Sequence, residues 1–187
     1  MAKITLNSAL HGIRGKIDNW VYRRFGDQVI IGRRPEFSGP ASVAQLAVRE
    51  QFRAAAAYAK AVFADPVRRP PYETAARAKG MSLFAFVMGD FLKPPVVETI
   101  DAAGYHGVVG DLIKVLARDD FEVVAVSVVI RDATDMVLEQ GPAALVNGLW
   151  TYATTVEVPA GNTVTIEAVA TDRPGHTGGK MVTWTNA

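Results

Sequence analysis

Apolar residues along this chain follow two rhythms. From Val96 onward they alternate with polar ones, whereas before Pro95 they recur mostly at spacings of three and four. The exception in the first half is Trp20-Val21-Tyr22-Arg23-Arg24-Phe25, then Gly26-Asp27, then Gln28-Val29-Ile30-Ile31-Gly32-Arg33. This reads as a β-hairpin, because Gly at the first central position of a two-residue loop supplies the positive φ that matches strand twist. The register opposes Tyr22 to Ile31, Arg24 to Val29 and Arg23 to Ile30, so both faces mix apolar groups with Arg and neither is a plain solvent face. An isolated hairpin is marginal in water, so this one must pack on helices or on another subunit.

After the turn-forming stretch Pro35 to Pro40, Ser42 and Gln45 make a capping-box pattern for a helix that Pro66 stops near Asp65. Its apolar stripe is Val48, Phe52, Ala55, Ala59 and Val62 or Phe63. A second helix is predicted over Tyr72 to Lys79, closed by Gly80. A third, Leu83 to Leu92, is capped by Ser82 and ended by Pro94 and Pro95. Phe84, Phe86, Val87, Met88, Phe91 and Leu92 make this last helix apolar nearly all round, which predicts burial.

Seven strands are expected beyond it: Val96 to Asp101, Leu112 to Ala117, Phe121 to Arg131, Met136 to Gln140, Trp150 to Val158, Thr163 to Thr171 and Lys180 to Thr185. The sets Val124, Val126, Val128, Ile130 and Val164, Ile166, Ala168, Ala170 each occupy one face of a strand. Short alternating strands between Gly, Pro, Asp and Asn turns are the signature of an antiparallel sandwich. The expected fold is α+β, with a hairpin-plus-three-helix domain at 1–95 and an all-β domain at 96–187.

Residues Ala117-Arg118-Asp119-Asp120-Phe121-Glu122-Val123, the strand Val126 to Asp132 and the run Val169-Ala170-Thr171-Asp172-Arg173-Pro174-Gly175 resemble bacterial immunoglobulin-like domains. There a closing A-T-D-x-x-G-N turn precedes the last strand, and His176 here replaces the Asn. The resemblance covers the C-terminal half and implies a seven-strand immunoglobulin-like sandwich without enzymatic activity, of the kind used in spacers, adhesins and phage or surface fibres. The N-terminal half, with Gly15-Lys16 and Tyr58-Ala59-Lys60, resembles parts of uncharacterised bacterial proteins, which implies no function.

Composition sharpens the division. The 187 residues are 49% hydrophobic and 21% charged, which excludes a disordered or collagen-like chain, and the absence of Cys excludes disulfides and thiol chemistry. The net charge of +1 conceals 15 Lys+Arg against 7 Asp+Glu in residues 1–95 and 5 against 12 in residues 96–187, balances of +8 and −7. Neither a signal peptide nor an apolar run long enough to span a bilayer is present, so cytoplasmic synthesis is expected, with any place in an extracellular filament or virion-like particle reached by a non-classical route.

Candidate chemistry is sparse. His11, His106 and His176 are dispersed without metal-ligand spacing, and no G-x-S-x-G occurs, Phe37-Ser38-Gly39 lying in a linker. Gly175-His176-Thr177-Gly178-Gly179-Lys180 is one residue short of a phosphate loop, has Met181 where Ser or Thr is needed, and leads into a strand. Among the strand-end carboxylates Asp119, Asp120, Asp132, Asp135 and Asp172, the set Asp119, Asp120 and Asp172 is the candidate calcium site; the competing reading is turn chemistry. No enzyme activity and no cofactor are expected. The basic residues Arg14, Lys16, Arg23, Arg24, Arg33 and Arg34 beside Trp20, Tyr22 and Phe25 suit nucleic acid by composition, but the acidic second half opposes that.

A protein interface fits Arg and aromatic residues better. The expected role is therefore a self-associating structural protein, joined head-to-tail through Trp20, Tyr22, Arg23, Arg24, Phe25, Val29, Ile31 and Arg33. The alternatives are a glycan- or protein-binding adhesion module and a nucleic-acid-associated basic domain.

Overall fold

The computed structural model describes residues 2–4, 14–25, 28–36 and 39–186, with backbone alone at 2–4, 25 and 28. By its contacts the chain divides into two compact units, Met1–Val43 and Ala44–Ala187. Among the described residues, three helices and antiparallel sheets make it an α+β protein.

The first unit is a four-stranded sheet of β1 (Ala2–Ile4), β2 (Gly15–Ile17), β3 (Trp20–Phe25) and β4 (Gln28–Arg33), in the order β1-β4-β3-β2. The expected hairpin is its centre, with Tyr22 opposite Ile31, Arg23 opposite Ile30 and Arg24 opposite Val29. Its Gly26-Asp27 loop lies outside the described residues. Two outer strands extend it: β2 joins β3 through Asp18, whose φ of 50° is a left-handed conformation that Asp tolerates, and β1 pairs with β4.

The second unit begins with α1 (Val43–Ala64), which ends before Pro66 as Asp65 Oδ1 accepts from the Val67 and Arg68 amides. Helix α2 (Arg69–Ala78) starts earlier than expected, because the first turn has no need of the amide hydrogens that Pro70 and Pro71 lack. The Ser82 side chain caps α3 (Leu83–Leu92) by accepting from the Ala85 amide at 3.2 Å. Their core joins Ala59, Val62, Tyr72, Ala76, Phe86 and Val87. Only the later half of the α1 stripe is covered: Ala55, Ala59 and Val62 are fully buried, while Val48 and Phe52 stay half exposed. Nor is α3 buried all round, since Phe84 is on the surface.

Eight strands follow rather than seven: β5 (Val96–Asp101), β6 (Leu112–Arg118), β7 (Val123–Arg131), β8 (Val137–Pro142), β9 (Ala144–Val146), β10 (Leu149–Ala153), β11 (Thr163–Asp172) and β12 (Thr177–Thr185). The additional strand β9 pairs with β10 across Asn147 and Gly148, whose φ values of 51° and 81° fit the two-residue turn that Asn-Gly favours. The sheets β5-β6-β10-β9 and β12-β11-β7-β8 close over one core, with Ile113, Val115 and Tyr152 from one meeting Val128, Ile130 and Ile166 from the other. This is a β-sandwich.

Two expectations change within it. Val124 is not on the inner face: the register shifts where Asp172 opposes Val123 and Thr171 opposes Ala125, so Val124 is an extra, exposed residue and Val123 packs inward. Phe121, expected to open a strand, instead packs its ring against Tyr72 and Phe86 at 4.6 and 5.4 Å. Beside it, Asp120 accepts from Lys93 Nζ through its carboxylate and from Lys79 Nζ through its carbonyl. These ties place the helices and the sandwich in one unit. The contact division therefore falls between Val43 and Ala44, and the change of rhythm at 95/96 marks a change of secondary structure inside the second unit.

Candidate functional site

Cross-strand partners in an antiparallel sheet point to the same side, so the register sorts the expected interface residues. Ile17, Trp20, Tyr22, Arg24, Val29, Ile31 and Arg33 share one face of the N-terminal sheet; Lys16, Val21, Arg23 and Ile30 share the other. Phe25 pairs with Gln28 at the end of the hairpin. The structure thus brings six of the eight expected residues onto one surface and puts Arg23 behind it. Val29 is the only buried side chain among those described in residues 14–36, while Ile17 and Trp20 are 56% and 44% exposed. The three-residue strands β1 and β2 are the sheet's edges.

The strand-end carboxylates mainly hold turns. Asp119 Oδ2 accepts from the Phe121 and Glu122 amides, both at 3.0 Å, and Asp172 Oδ1 accepts from those of Gly175 and His176 at 2.7 and 2.6 Å. Asp132 Oδ1 accepts from the Thr134 hydroxyl and from the Met136 and Thr134 amides, and these bonds, the hydroxyl's foremost, hold its carboxyl below the usual range. Asp135 lies 3.7 Å from Arg131. Of the three calcium candidates, Asp120 is engaged by Lys93 at 2.6 Å, and no group of three His, Asp or Glu among the described residues is arranged to hold a metal ion. His11 lies outside the described residues, and His106 is exposed beside Asp111.

A buried polar cluster within the second unit was not anticipated from the sequence. Asp90, the one charged residue of the otherwise apolar α3, is 2% exposed and accepts from the Tyr72 hydroxyl at 2.5 Å; Tyr58 lies 3.1 Å behind Tyr72. The Asp90 carboxyl is also within hydrogen-bond reach of Asp119 and feels the charge of Asp172. Burial first, then the Asp119 and Asp172 charges, outweigh the Tyr72 hydrogen bond and push Asp90 up to about 6. Burial also raises Tyr72. Four atoms here are buried without a hydrogen-bond partner: Asp90 Oδ1, Asp119 Oδ1, Asp172 Oδ2 and His176 Nδ1. The signal available in the sequence was a lone carboxylate on an apolar helix, since such a charge is buried only with partners.

His176 forms the outer wall of this cluster. Its Nδ1 is 3.3 Å from Asp172 Oδ2, and its ring meets Phe91 edge-on at 4.6 Å. It lines a cleft of about 500 Å³ with Gln51, Phe91, Leu92, Pro94 and Gly175. Among the described residues that line the cleft, His176 is the one titratable group. The Gly175 to Lys180 run makes no phosphate loop, because Thr177 onward is strand β12. Farther into the sandwich, Glu139 Oε2 accepts from the Tyr152 hydroxyl and from the Thr155 amide and hydroxyl.

Among the described residues no helix is long and apolar enough to cross a membrane. No protein-family model and no curated protein matches the chain. Among solved structures it is similar to CopC from Methylosinus trichosporium OB3b, at 17% identity and a TM-score of 0.37 over 49% of this chain and 91% of that one. It is also similar to a conjugative transposon lipoprotein from Bacteroides eggerthii DSM 20697, at 12% identity and a TM-score of 0.24 over 50% of this chain and 96% of that one.

Proposed function

We propose that this chain is a non-enzymatic structural protein that self-associates head-to-tail into a filament, tube or phage-like fibre, with an immunoglobulin-like sandwich as its body and the N-terminal sheet as its adhesive element. The carrying observation is the sheet face of Ile17, Trp20, Tyr22 and Ile31 flanked by Arg24 and Arg33, on a sheet whose only buried described side chain is Val29. A sheet of this size gains its stability by covering such a face. Two four-stranded sheets over one core, with Asp172 closing the turn before the last strand, support the immunoglobulin-like reading.

The partner we assign is a second copy, on grounds of charge. Residues 1–43 carry 7 Lys+Arg against 3 Asp+Glu, a balance of +4, and residues 44–187 carry 13 against 16, a balance of −3. The negative charge belongs to the sandwich, whose stretch 96–187 stands at −7. A basic sheet meeting an acidic sandwich makes a heterologous contact, and one that does not close on itself propagates. Arg23→Glu with Arg24→Glu lowers the charge of residues 1–43 from +4 to 0 and cancels the positive charge on both faces of the sheet. Electron micrographs of negatively stained wild-type protein at low salt are expected to show elongated particles, and the double variant none, with its β-sheet circular dichroism retained. Equal particle formation by both proteins overturns the assignment of the sheet.

A further inference from the structure

The buried cluster leaves two carboxylate oxygens, Asp90 Oδ1 and Asp119 Oδ1, without partners although their carboxyl groups are within hydrogen-bond reach. Both oxygens are acceptors when ionised, so neither satisfies the other. One proton removes both defects at once: carried on Asp90 Oδ1 and donated to Asp119 Oδ1, it turns two orphans into a bonded pair. The remaining oxygens are already occupied, Asp90 Oδ2 by the Tyr72 hydroxyl and Asp119 Oδ2 by two backbone amides.

We propose that Asp90 is a neutral carboxylic acid that donates to Asp119, and that this shared proton is an acid-dependent lock holding the helical layer on the sandwich. The lock does not rest on the assembly reading. It joins α3 to the β6–β7 turn beside the Phe121 contact, so breaking it loosens the docking of helices on strands. The groups facing Asp90 are Tyr72 from α2, Tyr58 from α1, Asp119 from the β6–β7 turn and Asp172 from the end of β11, with His176 beyond Asp172. The nearby cations are directed elsewhere: Lys79 and Lys93 to Asp120, Arg173 to Glu122, and Arg68 to Asp65. When the proton leaves, buried carboxylates face each other in its place. His176 Nδ1 lies 3.3 Å from Asp172 Oδ2, so the His176→Gln variant separates that contact from the contribution of Asp90.

The direction follows from linkage. A carboxyl whose folded pKa is raised contributes fully below its unfolded value, and the contribution is lost as pH rises through the folded one. For Asp90 that window runs from the ordinary 3.8 to about 6. The unfolding equilibrium constant should therefore rise by up to about a hundredfold between about pH 4 and neutrality through this group alone. The test is thermal unfolding from about pH 5 to about pH 7.5 for wild type, Asp90→Asn and His176→Gln, with infrared spectra of the native wild type over the same range. The expected result is a melting temperature that falls toward neutrality in wild type and His176→Gln but is flatter in Asp90→Asn. A carboxylic-acid C=O band is expected at the acid end and absent at the neutral end. A slope in Asp90→Asn equal to that of wild type overturns the lock. If that variant fails to fold, the wild-type band decides, and its absence in acid overturns the proposal.

Discussion

Gly178, in β12 opposite Ala170, stands where a Cβ would overlap the carbonyl oxygen of Pro95, so the chain passing from the helices into β5 can cross here only over a residue without a side chain. Gly89, within α3, meets nothing that a Cβ would touch and has no positive φ. The two glycines therefore respond oppositely to alanine. Gly178→Ala should destabilise by about 2–3 kcal/mol because backbone must move. Gly89→Ala should stabilise by about 0.5–1 kcal/mol by restricting the unfolded chain and raising helix propensity. Urea denaturation of both checks this, and a shift of the same sign in both would contradict it. The Gly-rich run around Gly178 is visible in the sequence, but its cause is not, because Pro95 is remote along the chain. Asp119, Asp132 and Asp172 were legible as turn residues since their amide partners lie within four positions. Asp90 was not, because its role depends on Tyr72, 18 residues before it, and on Asp119 in another element.

At the scale of elements, Phe121 decides how the helices meet the strands. Its ring closes on Tyr72 and Phe86, Arg173 sits 5.2 Å over it, and Asp119 and Asp120 immediately before it serve the lock and the lysine ties. Phe121→Ala removes the aromatic contact between the two layers and should cost about 3 kcal/mol. The urea midpoint reads this, and a loss below about 0.5 kcal/mol would show that the ring is dispensable. The three helices were legible because Ser82, Pro66, Gly80 and the Pro94-Pro95 pair punctuate the chain where helices start and stop. The strands were legible in phase but not in detail. The bulge at Val124 exists only in relation to β11, and the departure of Phe121 from strand pattern exists only in relation to α2 and α3. Strand β9 has its signal in the sequence, since Asn147-Gly148 is a strong short hairpin turn.

For the molecule as a whole, charge and rhythm both change at Pro95, yet the compact units divide at Val43/Ala44. Periodicity reports secondary structure, and a helical layer docked on a sandwich changes period without changing unit. The asymmetry survives the new boundary, at +4 for residues 1–43 against −3 for residues 44–187. The proposed contact between these regions of successive copies would be steered by opposite charge, which salt screens beyond about 8 Å at physiological ionic strength, and held by the apolar face of the sheet, which salt does not weaken. Sedimentation velocity of the wild-type chain, over a range of protein concentration at low and at physiological salt, tests self-association most directly. The account predicts a weight-average mass that climbs with concentration well beyond the 20.1 kDa of one chain, faster at low salt, with no plateau at a closed oligomer. A single species of one-chain mass at every concentration and both salt levels would contradict it.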